Sequence, residues 1–186
     1  MLGCVTPPGR PITVLEFNGP RFEDHGPDVD VLPEILAFKR LLQEAAKELW
    51  RRKNPDGQRL PRHFDEELSL KFFAIKAGSA GVALVRATTS QRTPRLPFED
   101  ELDEAASLLQ SAGRSERPPS TLPRSVIPLF QEFGRALRPD EFIIVKSGSS
   151  HSGARYDDQV KTRIMSWVTG TYTDRVELIG EVRGTV

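Results

Sequence analysis

The sequence predicts an α+β domain: a mixed or mainly antiparallel sheet of four or five strands with helices packed on one face, in the order β-α-β-β-α-α-β-α-β. Three observations carry that expectation. Short alternating or continuous apolar runs recur at 12–17, 68–73, 82–86 and 142–145, one long apolar stripe at helical spacing spans 32–53, and Gly, Pro and Asn clusters separate them. That order admits a ferredoxin-like β-α-β-β-α-β core.

Residues 1–11 hold three prolines and two glycines without periodicity and read as a loose leader. Ile12, Val14 and Glu16 then alternate with Thr13, Leu15 and Phe17 as a first strand, which Asn18-Gly19-Pro20 stops. An acidic turn follows, with Asp30 placed to cap a helix that has Pro33 in its first turn. Ile35, Phe38, Leu42, Ala45 and Leu49 recur at three- and four-residue steps, widened by Leu41, Ala46 and Trp50, and predict a one-faced helix over 32–53. Arg51, Arg52 and Lys53 complement the negative end of its dipole, and Asn54-Pro55-Asp56-Gly57 closes it. Two strands joined by Gly78-Ser79-Ala80-Gly81 form a predicted hairpin.

Leu102, Ala105, Ala106 and Leu109 mark a short helix with an acidic first turn, and 114–123 has the composition of a mobile linker. A further helix is expected around Leu129, Phe130, Phe133 and Leu137, then a central strand at Phe142 to Val145. Tyr156, Val160, Ile164 and Trp167 fit a helix, although Val160, Thr162, Ile164, Ser166 and Val168 also alternate as a strand would. Val176, Leu178 and Val182 give a last strand without a closing turn, the pattern of a longer protein cut short. We expect 12–146 to form the main domain, with 147–186 belonging to it as a final helix and strand.

Composition limits the function classes. The 186 residues are 38% hydrophobic and 28% charged, a globular profile, and 15 Pro with 14 Gly imply long connections. Equal numbers of basic and acidic residues, 26 each, give no overall field to gather nucleic acid or an anionic membrane. The single cysteine, Cys4, cannot form an internal disulfide and suits a reducing, bacterial-type cytoplasm. Leu2-Gly3-Cys4 resembles the end of a lipoprotein signal but lacks the basic and apolar segments that precede one. No apolar run approaches the roughly 18 residues of a membrane helix.

Two clusters bear chemistry. After the strand at 142–145, Gly148, Ser149, Ser150, His151, Ser152, Gly153 and Arg155 copy the spacing of a phosphate-cradling glycine loop. Ala154 and Arg155 stand where that loop needs lysine and a magnesium-binding hydroxyl, so Arg155 is the remaining anion partner. A serine nucleophile beside His151 lacks the third group that orients a base in space. Glu23, Asp24, His25, Asp28 and Asp30 mix hard oxygen donors with an imidazole, yet match no established metal spacing and read more simply as an acidic turn. His63 with Asp65, Glu66 and Glu67 is a thinner case. No cofactor is implied.

The strand–helix order is also similar to that of RNA-recognition domains, which stack bases on aromatic side chains of the sheet. The strand Val82 to Val85 offers no aromatic, and Phe72 and Phe73 read as core. The expected function is a non-catalytic protein-interaction or scaffold module, pairing with a partner or a second copy through the final strand. A phosphate or nucleotide site at 148–155 and a nucleic-acid-binding sheet are the alternatives.

Overall fold

The structure, a computed structural model, describes residues 11–23, 27–56, 59–62, 64–74, 80–86, 98–148 and 150–169. Five strands, β1 (Thr13–Asn18), β2 (Leu70–Ala74), β3 (Gly81–Arg86), β4 (Phe142–Ser147) and β5 (Ala154–Tyr156), make one sheet in the order β2-β3-β1-β4-β5. Every neighbouring pair is antiparallel, with Leu15 opposite both Val82 and Val145. β1 and β2 therefore run parallel with β3 inserted between them, and β3 and β4 run parallel with β1 inserted between them. These two interleaved split βαβ units are the ferredoxin-like core that the element order admits.

Each crossover carries a helix, α1 (Leu32–Lys53) in the first and α3 (Glu99–Arg114) in the second, with the four-residue α2 (Phe64–Glu67) before β2. α1 and α3 pack on each other and on one sheet face, whose inward residues include Leu15, Phe17, Val82, Leu84, Ile143 and Val145. Fully burying Ile35, Phe38, Leu41, Leu42 and Leu49 is worth roughly 10 kcal/mol in gross transfer free energy, at about 2 kcal/mol each. Intrinsic propensity differs by at most about 0.7 kcal/mol per ordinary residue, so packing of the stripe decides that α1 is a helix. β3 is buried along its whole length and lies between two strands, β2 and β1.

Several local expectations change. The cap before α1 is Asp28 rather than Asp30: the Asp28 side chain accepts from the Asp30 N–H and closes a 3₁₀ turn, Val29–Val31, that leads directly into α1. The helix expected around Leu129 is a 3₁₀ segment, Arg124–Gln131. Pro128 lies inside it and supplies no N–H, which weighs against a continuous α-helical ladder. Its Phe130 is buried against the Tyr156 ring at 6.1 Å between centroids, and the following Phe133 meets both Phe38 and Tyr156 at 5.3 Å.

The segment 114–123, read as a mobile linker, is tied down: Arg114 ends α3, and the rest is anchored. Leu122 is buried, the Arg52 guanidinium donates to the Thr121 carbonyl at 2.6 Å, and the Trp167 indole N–H donates to the Glu116 carbonyl at 3.3 Å. Its prolines restrict the chain without leaving it free. The ambiguous stretch near 156–168 resolves into α4 (Asp158–Thr169), preceded by the unexpected short strand β5. Tyr156 belongs to that strand, where its ring fills the space left by Gly113 on α3; a Cβ on Gly113 would meet the ring at 2.5 Å. The leader up to Arg10, Gly78 and Ser79 of the hairpin turn and the final strand at 176–182 lie outside the described residues.

Candidate functional site

The strand–loop–helix order expected around Gly148 is instead strand–loop–strand, since β5 intervenes before α4. The loop's groups are held from within. From α3, the Gln110 side-chain carbonyl accepts from the Ser147 N–H at 2.7 Å, while its amide donates to the Ser152 carbonyl at 2.9 Å and the Ser150 hydroxyl at 3.2 Å. One turn on, Arg114 donates to the Ser152 carbonyl and hydroxyl, both at 2.7 Å, and to the Gly153 carbonyl at 3.0 Å. Gly148 donates its N–H to the Ile12 carbonyl at 2.8 Å and abuts the Pro11 backbone, where a Cβ would come within 1.9 Å. His151 is exposed, and Ser149 lies outside the described residues.

Arg155 stands apart from these groups. On β5 it projects to the sheet face away from the helices, covers the Phe142 ring at 4.0 Å and pairs with Asp157 at 2.8 Å. Asp157 in turn accepts from the Val160 N–H at 3.0 Å, so a carboxylate of the chain itself occupies the N-terminus of α4. Burial pushes the Asp157 carboxyl up, but the Val160 N–H, the Arg155 guanidinium and the Gln159 N–H outweigh it and hold it below the ordinary carboxylate value. Phe142, missed as a sheet-surface aromatic, shares that face with Ile144 and Lys146, and Lys146 pairs with Glu16 at 2.6 Å. Its neighbours alternate inward and outward, so its own exposure needed the register to be seen.

The other acidic region is organised around a buried carboxylate that no sequence pattern singles out. Glu34, in the first turn of α1, is 1% exposed and accepts from the backbone N–H groups of Gly134 and, at 2.5 Å, Ala136. Glu141, also buried, accepts from the Arg138 N–H at 2.8 Å and faces the Arg21 guanidinium at 2.8 Å. Arg21 donates to the Ala136 carbonyl at 3.0 Å and reaches Asp28 at 3.8 Å. Gly19, at φ 141°, lets β1 leave the sheet beside the Glu141 side chain. Of the acidic turn expected as a metal candidate, Asp24 and His25 lie outside the described residues, and Asp28 is engaged as a cap and an ion-pair partner. Among the described residues no group of three or more His, Cys, Asp or Glu is placed to hold a metal ion.

This polar clamp fixes a platform whose outer side is apolar. Val29, Leu32 and Leu36, spaced i, i+3, i+7, are 74%, 40% and 65% exposed. They form a ridge along the N-terminal half of α1, with exposed Pro33 beside it. Parallel to the ridge runs a cleft of about 390 Å³, lined by Pro33, Glu34, Ala37, Glu132, Arg135 and Ala136. A second cleft of about 380 Å³ lies between Pro118, Leu122, Ile127 and the Trp167–Val168 end of α4. The signal for the ridge was present in the sequence as apolar residues at helix positions opposite the buried stripe.

Among the described residues no helix is long and apolar enough to cross a membrane. Comparison of the chain with protein-family models, with curated proteins and with solved structures gives no significant match.

Proposed function

We propose that this chain is a non-catalytic interaction module that binds a protein chain through the apolar ridge of α1. The observation that carries the reading is the exposure of Val29, Leu32 and Leu36 side by side, where a helix facing only water would place polar residues. Supporting it is the use made of the buried acids. Glu34 and Glu141 are engaged by backbone N–H groups and by Arg21, an arrangement that stiffens the support beneath the ridge. A pre-formed platform loses less entropy on binding than a mobile one.

The test is a photo-reactive side chain placed at Leu36 in cells expressing the protein. A discrete adduct is expected, diminished when Val29 and Leu32 are both changed to serine. Absence of any adduct at this position, or the same products from a control at exposed Arg117, overturns the proposal.

A further inference from the structure

We propose that the occupant of the α1 ridge is a second copy of the same chain, packed antiparallel about a two-fold axis near Ile35. This deepens the interaction reading and rests on it.

Shape is the first argument. A ridge and a groove lie side by side on one surface: Leu32 and Leu36 form the ridge, and the cleft along Pro33 and Ala37 forms the groove. A two-fold interface requires a self-complementary patch, and adjacent ridge and groove meet that requirement, because a half-turn lays each ridge in the other copy's groove. In an antiparallel register centred near Ile35, Leu36 of one copy comes opposite Pro33 of the partner, at the mouth of the cleft.

Charge is the second argument, and it is independent of shape. The outward face of the helix is polarised along its length. Exposed Asp30 lies at the N-terminal end of the ridge, between Val29 and Leu32, and Lys39 and Arg40 follow its C-terminal end; among the described residues none of the three has an ion-pair partner. Parallel packing would set like charges together. Antiparallel packing sets Asp30 of each copy opposite Lys39 and Arg40 of the other, and the helix dipoles then also oppose. Both ends of the interface gain the same pairing by symmetry.

Sedimentation of the purified full chain tests the inference. The wild type is expected to associate reversibly to a dimer in the micromolar range. Leu36→Glu, on an exposed position, is expected to weaken association by more than about tenfold with an unchanged far-ultraviolet spectrum and melting temperature. Asp30→Arg alone is expected to weaken it by roughly two- to fivefold, the range of one exposed charge pair, and the reciprocal variant Asp30→Arg with Arg40→Asp to restore it.

A wild type that remains monomeric at 100-fold higher concentration, or a reciprocal variant no better than the single one, overturns the self-pairing. A monomeric wild type together with a discrete adduct of another mass from position 36 in cells would sink the dimer and leave the interaction module standing. No adduct at all removes the reading beneath it.

Discussion

The two ends of the sheet solve one problem with different chemistry. At the β4–β5 end, a neutral amide and an exposed guanidinium from α3, Gln110 and Arg114, satisfy the backbone of the Gly/Ser loop. At the end where β1 leaves the sheet, buried carboxylates, Glu34 and Glu141, do the same for 134–141 with Arg21 beside them. A buried charge is costly unless fully paired, so the second end is the stiffer and the less tolerant of change. It is also the end that presents apolar surface. Where the polar groups are committed inward most completely, the exposed side is left to hydrophobic contact.

Changes at the two ends should separate accordingly. Glu34→Ala removes the acceptor of two partly buried N–H groups and empties the site of a fully buried side chain, and is expected to cost roughly 3 kcal/mol in urea unfolding. Gln110→Ala strands the Ser147 N–H and should cost roughly 2 kcal/mol. Equal losses would erase the contrast between the ends.

Asp157→Ala removes the cap of α4 and should cost about 1 kcal/mol at neutral pH. Because the folded-state value of Asp157 is lowered, its contribution is present above the ordinary aspartate value near 4 and fades as pH falls through the folded value. The gap between wild type and Asp157→Ala should therefore narrow on acidification below about pH 4, a trend that thermal melts across that range would check. Arg155→Ala, which gives up an exposed ring contact and one ion pair, should change stability least, by about 0.5–1 kcal/mol.

Much of the fold was legible before any coordinates. The stripe from Ile35 to Leu49 read as a helix because seven apolar α1 positions turn inward, and β4 read as central because Ile143 and Val145 meet the helices while Phe142 and Ile144 remain apolar on the other side. Elements defined by geometry rather than periodicity were missed. β5 has three residues, too few for a pattern, and the 124–131 segment has helical composition interrupted by Pro128.

The candidate site was harder to see. Nothing in a single sequence distinguishes buried Glu34 from solvated Glu44, since the partners of Glu34 lie a hundred residues away. Leu32 and Leu36 were visible as letters, but a helix with a strong inward stripe invites reading every leucine as core. The loops after Asn18 and Lys146 drew notice by composition, and the structure shows the described polar groups there largely occupied in holding the chain.

The interleaved strand order has a consequence for how the chain comes into being. β1 is made first but sits at the middle of the sheet, and its neighbours β3 and β4 arrive about 70 and 130 residues later. Such long-range closure slows folding, and on the ribosome the first strand keeps one edge unpaired, even once β3 is available for the other, until Phe142–Ser147 has emerged. A nascent chain stalled near residue 120 would expose the β1 edge intended for β4, a ready template for a stray strand. For this topology, the rate of synthesis through the 115–141 stretch sets how long that hazard lasts.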